Sequence, residues 1–427
     1  MKVFKFGGGS VKDAANVRQL ENILSRYAED RLIVVISAIG KTTNHLESLL
    51  NDHYGNKEKS DILWQELWDN HYHIANELTD TPEKIMDDLR PLFENLRNQL
   101  NFGLSDNYDF DYDQVVSFGE LFSTTLISSY LRQRNIKNYL EDARTLIKTD
   151  DSFREGKVDW KITTPLIRNR IGELFSQGNG NIVITQGFIG GTLSNETTTL
   201  GREGSDYSAA IFAYSVNAEE IIIWKDVPGF FNADPKVFPG AVKLDRISYE
   251  EAIELAYYGA NIIHPKTLKP LQNKQIPLYV KSFFNPDEAG TVISCTGPDA
   301  PVDSYIFKKN QILISIFPKD FSFIAVNNLS EIFSLLSIHK ININLMQNSA
   351  LSFSICVDDH SRKIQKVIEE LKMNYIVKYN DKVELATIRH YSDESLNSIL
   401  AGKTVLIEQK NRTTIQLVLK NKRKNKI

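Results

Sequence analysis

The feature that most constrains the fold is an alternation of short apolar strands with helical segments, in which glycine-rich turns follow the strands. Residues 2–6 (KVFKF) and 31–38 (RLIVVISA) are typical of buried strands, and the stretch 14–27 between them has the apolar spacing of a helix. The alternation returns further along the chain, in segments at 181–191, 205–217, 219–227 and 249–259. It predicts an α/β fold, an open sandwich whose mainly parallel sheet is covered by helices on both faces.

Two regions depart from this alternation. Residues 45–135 are polar with helical spacing of their apolar residues, which predicts a helical lobe. The segment 287–301 collects Gly, Pro and Asp, so we place a domain boundary near it. From Ile312 the pattern becomes strand, helix, strand, strand, helix, strand, a small α+β plan, and a shorter, partly similar run spans 382–419.

Bulk composition narrows the class of function. Apolar residues make up 42% of the chain and charged residues 24%, as in ordinary soluble enzymes. The formal net charge of −4 gives no reason to expect nucleic acid or an acidic membrane as partner. Cys295 and Cys356 are too few for a disulfide framework, which fits a reducing cytoplasm. The absence of an apolar signal or spanning stretch argues against export and membrane insertion.

The first glycine-rich turn predicts a phosphate site. Lys5 lies near the end of the first strand, and Gly7, Gly8, Gly9 and Ser10 follow directly on it. Glycines let the backbone approach an anion, exposed N–H groups favour phosphate, and a lysine supplies a mobile charge. A plain strand-to-helix turn would also explain the glycines. The lysine precedes the glycines, unlike in a P-loop, and the Rossmann spacing is absent, so the phosphate site is of another type.

Further turns carry candidate substrate contacts. Arg202 lies on a glycine-flanked loop, 201–206, which suits bidentate recognition of a carboxylate. Helix capping alone would explain Ser205 and Asp206 on the same loop. With the glycine-rich run 187–191, three such turns would converge at the carboxyl edge of one parallel sheet, where ligands bind in open α/β folds.

Other polar residues leave two interpretations open. Glu120 falls in the first turn of a predicted helix, where it either favours the helix dipole or receives a substrate ammonium. The segments 224–229 and 232–236 would serve as nucleotide contacts or as plain turns. The histidines are scattered, so we expect no transition-metal site; any metal would be Mg²⁺ carried in with the nucleotide.

Eight segments together resemble aspartate kinase, in that family's order and spacing and across essentially the whole chain. They are KFGGGS (5–10), VVISAIGKTTN (34–44), VVSFGE (115–120), DARTLIKTD (142–150), ITQGFIGG (184–191), TTTLGREGSDYSAA (197–210), WKDVPGFFNADPK (224–236) and GANIIHPKTL (259–268). The resemblance implies an amino-acid kinase domain over 1–295 and a tandem of ACT-type regulatory domains over 305–427. It also implies the single-function form, without a homoserine dehydrogenase domain.

The resemblance further implies ATP-dependent phosphorylation of the β-carboxylate of aspartate, the first step of lysine, threonine and methionine synthesis. Lys5 would neutralise the transferred phosphoryl group, with Asp206 as a second catalytic residue. Arg202 would clamp the α-carboxylate and Glu120 would face the α-ammonium, while Thr43 and Ser205 position the β-carboxylate. No protein nucleophile is required, because a carboxylate is ionised at pH 7 and phosphoryl transfer depends mainly on positioning and charge neutralisation.

ATP with Mg²⁺ is the implied cofactor, and lysine or threonine the implied effector. The implied nucleotide contacts are Gly7, Gly8, Ser10, Lys225, Asp226, Phe231, Lys236 and Asn261. The implied effector loop contains Met346, Gln347, Asn348 and Ser349. A homodimer through the ACT domains is the implied assembly.

Three positions depart from the commonest family pattern. Gly9 stands where Thr is usual, Glu203 where Gly is usual, and Asn261 where a nucleotide-contacting Lys is frequent. Lys225, where Thr is often seen, would supply a cation nearby. Two alternatives therefore stay open: a kinase of the same fold acting on glutamate, carbamate or UMP, and a non-catalytic amino-acid sensor in which these substitutions have abolished turnover.

Overall fold

The structure, a computed structural model, describes residues 1–422 except 56, 102, 104, 261–262, 298–301 and 321, and only the backbone of residues 57 and 361. The chain divides into two compact units. The first comprises Met1–Phe230, Lys243–Ile253 and Ile262–Pro298, and the second Phe231–Val242, Glu254–Asn261 and Asp299–Ile427. In the described part of the chain, no helix combines the length and apolarity that a bilayer crossing requires.

The first unit is built on a mainly parallel sheet, of eight strands among the described residues. The strands up to residue 294 are β1 (Lys2–Phe6), β2 (Leu32–Ile36), β3 (Asn138–Glu141), β4 (Ile182–Gln186), β5 (Ile189–Gly191), β6 (Thr197–Thr199), β7 (Glu220–Lys225), β8 (Phe230–Phe231), β9 (Lys243–Leu244), β10 (Arg246–Ser248), β11 (Leu278–Ser282) and β12 (Thr291–Ser294). The sheet order is β10-β12-β11-β7-β1-β2-β4-β3, and within it only β11 and β12 pair antiparallel. The Val- and Ile-rich β2 is buried throughout, as a strand covered on both faces must be.

Helices cover this sheet and form the predicted lobe. In chain order they are a 3₁₀ turn (Gly8–Val11), α1 (Ala14–Ser25), α2 (Thr42–Gly55), α3 (Lys57–Leu78), α4 (Pro82–Asn101), α5 (Tyr108–Val116), α6 (Phe118–Gln133), α7 (Ala143–Leu146), α8 (Trp160–Ser176), α9 (Gly204–Val216), α10 (Tyr249–Tyr258) and α11 (Pro265–Lys274). Phe93 of α4 stacks on Phe122 of α6 at 4.1 Å, which places an aromatic core inside the lobe. The helix α9 is apolar almost all round and packs across β1, β2 and β7.

The second unit contains an antiparallel sheet, of six strands in the described ranges, with helices in α+β order. Its elements are β13 (Ser304–Pro318), α12 (Val326–Ile338), β14 (Ile343–Asn348), β15 (Phe353–Asp358), α13 (Ser361–Asn374), β16 (Tyr375–Arg389), α14 (Asp393–Leu400), β17 (Lys403–Lys410) and β18 (Thr414–Asn421). The sheet order is β14-β15-β13-β16-β18-β17. Because β13 pairs with β16 from Ser304 to Pro318, the strands β14 and β15 on one side of this pair and β18 and β17 on the other belong to one continuous sheet. The predicted fold class is confirmed.

Candidate active site

The candidate site lies where neighbouring parallel strands end. In the order β7-β1-β2-β4 all pairs are parallel, so their carboxyl ends meet at one edge. Backbone hydrogen bonds connect the neighbouring strands up to this edge: Ser37 N donates to Phe6 O at 3.1 Å, and Gly187 N donates to Ile36 O at 2.9 Å. The turns that the sequence singled out after β1 and β4 therefore do come together.

The turn after β1 packs tightly against the turn after β2. A Cβ on Gly8 would lie 2.8 Å from Ala38 O and 3.1 Å from Gly40 O, so glycine is required there. A Cβ on Gly9 would meet no described atom within 4 Å, so the threonine usual in the family would find room at this position. Ser10 is buried, and its hydroxyl donates to Trp224 O at 3.3 Å. That hydroxyl links the turn to the end of β7.

Two lysines meet one buried carboxylate at this edge. Lys5 Nζ on β1 lies 2.6 Å from Asp206 Oδ1, and Lys225 Nζ at the end of β7 lies 3.4 Å from Asp206 Oδ2. Burial by itself would raise the pKa of Asp206, but the charges of Lys5 and Lys225 outweigh burial, and the pKa is lowered. Asp206 is therefore ionised at neutral pH and holds both ammonium groups in place. Sequence reasoning named all three residues but did not foresee this pairing.

Glu120 is a buried carboxyl group that is only half satisfied. Ala38 N donates to its Oε1 at 3.2 Å, whereas no described side chain or backbone group donates to its buried Oε2. Burial raises the pKa of Glu120 to about 8, against smaller lowering effects from Ala38 N–H and the charge of Lys5. A Cβ on Gly119 would lie 2.9 Å from Ala38 Cβ, so glycine lets the start of α6 approach the turn after β2. A cationic group beside Oε2 would stabilise the ionised form.

The loop before α9 carries two of the predicted substrate contacts, Arg202 and Ser205. Arg202 is exposed, and Ser205 is buried against Gly187, where a Cβ would lie 2.6 Å from Ser205 Cβ. Glu203 has φ of 54°, in the left-handed region that favours glycine. This conformation explains why glycine is usual at that position in the family. Thr43 is half-buried in the first turn of α2.

Asp113 positions this loop and was missed by sequence reasoning. Its carboxylate is fully buried and accepts from Arg154 N at 2.8 Å, Thr199 N at 2.9 Å and Thr199 Oγ1 at 2.8 Å. Burial raises the pKa of Asp113 to about 6, despite these donors. Thr199 ends β6 three residues before Arg202, so Asp113 anchors the base of the arginine loop. An acidic residue in a polar helix gave no local sign of this role.

The remaining predicted nucleotide contacts are more dispersed. Asp226 is exposed directly after β7. Phe231 is half-buried, and Lys236 is exposed in a turn where its N–H donates to Asp234 Oδ1 at 2.9 Å; both belong to the second unit. Asn261 lies outside the described residues. Among the residues that are described, no group of three or more His, Cys, Asp or Glu could hold a metal ion.

The predicted effector residues lie in the second unit. Met346, Gln347 and Asn348 are exposed on β14, the edge strand of the antiparallel sheet. Ser349 follows in a turn, where its N–H donates to Ser352 O at 2.8 Å. An edge strand offers unpaired backbone groups as well as side chains to a ligand or another chain.

Comparison with known proteins decides the family. The amino acid kinase family matches residues 1–282. The lysine-sensitive aspartokinase 3 of Escherichia coli (strain K12) is 33% identical over 359 residues, which cover 83% of this chain and 78% of that protein. The chain belongs to the aspartokinases of the amino acid kinase family. The prediction that this aspartokinase is an enzyme with aspartate kinase activity is thereby confirmed.

Solved aspartokinases share the fold over nearly the whole length. The crystal structure of E. coli aspartokinase III in complex with lysine and aspartate (T-state) has a TM-score of 0.85 and 28% identity, covering 99% of this chain and 96% of that chain. The same enzyme in complex with aspartate and ADP (R-state) has a TM-score of 0.81 and 27% identity, covering 98% and 96%. The resemblance read from the short segments of this aspartokinase is therefore confirmed along both of its units.

Proposed function

We propose that this aspartokinase transfers the γ-phosphoryl group of ATP to the β-carboxylate of L-aspartate, giving 4-phospho-L-aspartate. The observation that carries the proposal is the cluster of Lys5, Asp206 and Lys225 at the carboxyl edge of the sheet, with the half-satisfied Glu120 beside it. This edge combines positive charge for phosphate with a carboxylate for a substrate ammonium. The E. coli structures with aspartate and with ADP support the choice of substrates.

Different residues of the chain are proposed to bind the two substrates, ATP and aspartate. Lys5 and Lys225 neutralise charge on the phosphoryl group in transit, and Asp206 keeps both ammonium groups oriented. The backbone of Gly7 and Gly8 approaches phosphate closely because neither residue carries a side chain. Mg²⁺ bound to ATP would supply further charge neutralisation at the phosphates. Asp226, Phe231, Lys236 and Asn261 are proposed to complete the nucleotide site, as the resemblance implies.

Aspartate would be held by groups around the same edge. Arg202, on the loop anchored through Thr199, clamps the α-carboxylate as a bidentate donor. Glu120 receives the α-ammonium at its unpaired Oε2. Thr43 and Ser205 orient the β-carboxylate, which attacks phosphorus directly because it is already ionised. Binding of the ammonium ionises Glu120, so aspartate uptake at neutral pH releases a proton.

We further propose feedback regulation through the second unit, read as a tandem of ACT-type domains over 305–427. The similar E. coli enzyme is named as lysine-sensitive, which favours lysine over threonine as the effector. The exposed residues of β14 and Ser349 are the proposed effector contacts, and the edge of β14 is the proposed route to a homodimer. The product would then feed lysine, threonine and methionine synthesis in the cytoplasm.

The experiment is ATP- and Mg²⁺-dependent formation of acyl phosphate, trapped as its hydroxamate. Aspartate is tested beside glutamate and carbamate, UMP phosphorylation is followed separately by ADP release, and lysine or threonine is added in parallel wells. Turnover with aspartate alone, inhibited by lysine, is the expected outcome. Nucleotide binding without turnover of any substrate would contradict the catalytic proposal and favour an amino-acid sensor. Lysine inhibition that survives deletion of residues 305–427 would contradict the regulatory one.

A further inference from the structure

A cavity in the first unit is lined by residues other than those of the candidate active site. It has a volume of about 430 Å³ and is bounded by the helices α8, α9 and α11. Its lining residues are Trp160, Tyr207, Tyr214, Lys266, Lys269, Pro270 and Asn273. None of them is a residue that we place in the kinase site. A cavity of this size is large enough for a small organic ligand.

The inner wall of the cavity is aromatic. Trp160, the first residue of α8, stands edge-on to Tyr214 at 4.9 Å and to Tyr207 at 6.4 Å between ring centroids. Ten of the thirteen residues of α9 are buried against the sheet and its neighbours, so the two tyrosines form most of the surface that this helix leaves accessible. Half-buried rings set at an angle to each other offer ring faces and edges on which a planar group can pack.

The mouth of the cavity is cationic. Lys266, Lys269 and Asn273 recur at helical spacing on one exposed face of α11. Lys274 of the same helix does not line the cavity but contacts its wall, with its Nζ 3.9 Å from the Tyr214 ring centroid and donating to Tyr214 O at 2.6 Å. The lining residues that the structure describes include no carboxylate to neutralise these lysines. The cavity therefore favours an anion at its mouth.

The number of cations indicates the kind of anion. Lysine binds phosphate as a point charge, and a phosphate monoester carries a charge of about −1.5 to −2 near pH 7, whereas a carboxylate carries one. The two exposed lysines of the lining therefore match the charge of a phosphate group better than that of one carboxylate. We propose that this cavity binds a nucleoside monophosphate, with the base against Trp160 and Tyr207 and the phosphate at Lys266 and Lys269. None of its lining residues belongs to the ATP site of the proposed kinase reaction.

The test is a titration of the full-length protein with GMP, followed by tryptophan fluorescence and by calorimetry. Guanosine supplies the ring alone, ribose 5-phosphate the anion alone, and indole-3-acetate a ring with a carboxylate. GMP is expected to quench Trp160, with each half binding at least about tenfold more weakly than the whole, because each lacks one set of contacts. Trp160→Phe is expected to remove the quench while the calorimetric signal remains.

Variants separate this cavity from the kinase site. The double change Lys266→Ala with Lys269→Ala is expected to weaken GMP binding at least about tenfold. Lys161→Ala is the matched control, because this exposed lysine follows Trp160 but does not line the cavity. Both variants should keep native aspartate turnover without GMP, so the proposal stands or falls independently of the kinase activity. Undetectable GMP binding, affinity retained in the double variant, or tighter binding of indole-3-acetate would overturn it.

Discussion

The raised pKa of Glu120 predicts a distinctive pH dependence of aspartate use. Burial moves this pKa from 4.5 to about 8, and the proposed ammonium partner binds only the ionised form. With a pKa near 8, roughly a tenth of the free enzyme is ionised at pH 7 and roughly a hundredth at pH 6. The value of kcat/KM for aspartate, which reports the free enzyme, should therefore rise about tenfold per pH unit up to pH 7 and level off above about 8.5.

The variant Glu120→Gln isolates this group. Glutamine keeps the acceptor for Ala38 N–H but carries no charge for the ammonium, so KM for aspartate should rise by roughly 10- to 100-fold near pH 8.5, the usual cost of losing a charged hydrogen bond. Its kcat/KM should no longer respond to pH in this range. The matched control is Glu66→Gln, at an exposed position in the helical lobe, which should keep the native profile.

The assay is initial-rate hydroxamate formation from pH 5.5 to 9 at saturating ATP. Thermal unfolding supplies an independent check with its own sign. Because the folded-state pKa is raised, the contribution of Glu120 to stability is fully present below 4.5 and is lost as the pH rises through about 8. Glu120→Gln should lose less stability over that interval than the native protein. A flat native profile between pH 6 and 8, or an unchanged profile in the variant, would refute the assigned role.

Four further changes test neighbouring parts of the structure. Lys5→Ala should lower kcat by at least about 100-fold with unchanged circular dichroism, since it removes charge at the transferred group; near-native turnover would reject its role. Asp113→Asn should raise KM for aspartate roughly tenfold with a smaller effect on kcat, because the loop carrying Arg202 loses its anchor; an unchanged KM would argue against this. Glu203→Gly should raise the free energy of unfolding by about 1 kcal/mol, measured in urea, because the left-handed backbone is relaxed; a loss of stability would contradict the strain. Burial lowers the pKa of His71 to about 4, so its contribution to stability is lost as the pH falls from 6.5 through 4; His71→Phe should reduce the acid-induced drop in melting temperature.

Local sequence predicted most of the elements. Apolar runs such as KVFKF and LIVVI need burial on both faces, and the structure places them as the adjacent strands β1 and β2. The predicted helical lobe, 45–135, corresponds to α2–α6, whose ends differ by only a few residues. These segments were predictable because periodicity and burial act within one element. The order of the strands in the sheet was harder to predict from the sequence, since β7 lies beside β1 although some 200 residues separate them.

The site was predicted as a set of residues rather than as an arrangement. Glycine-rich turns after strands led us to expect the candidate residues at one edge of the sheet, and the structure brings the turns after β1 and β4 together at that edge. Two features could not be predicted from the neighbouring residues in the sequence. One is the left-handed φ of Glu203, and the other is the set of three donors that converge on Asp113. The donors to Asp113 lie 41 and 86 residues away along the chain. Only the folded molecule reveals such contacts.

The pairing of Asp206 with two lysines explains how Lys225 enters the site. Local sequence shows Lys225 only as a charged residue at a strand end, where threonine is common in related enzymes. Because β7 lies beside β1 and α9 crosses both, Lys225 and Lys5 reach opposite oxygens of Asp206. Lys5, Lys225 and Asp206 together carry one net positive charge, at the edge where phosphate is proposed to bind. The same burial that would raise the pKa of Asp206 also strengthens the attraction between Asp206 and the two lysines, since little water is present to screen it.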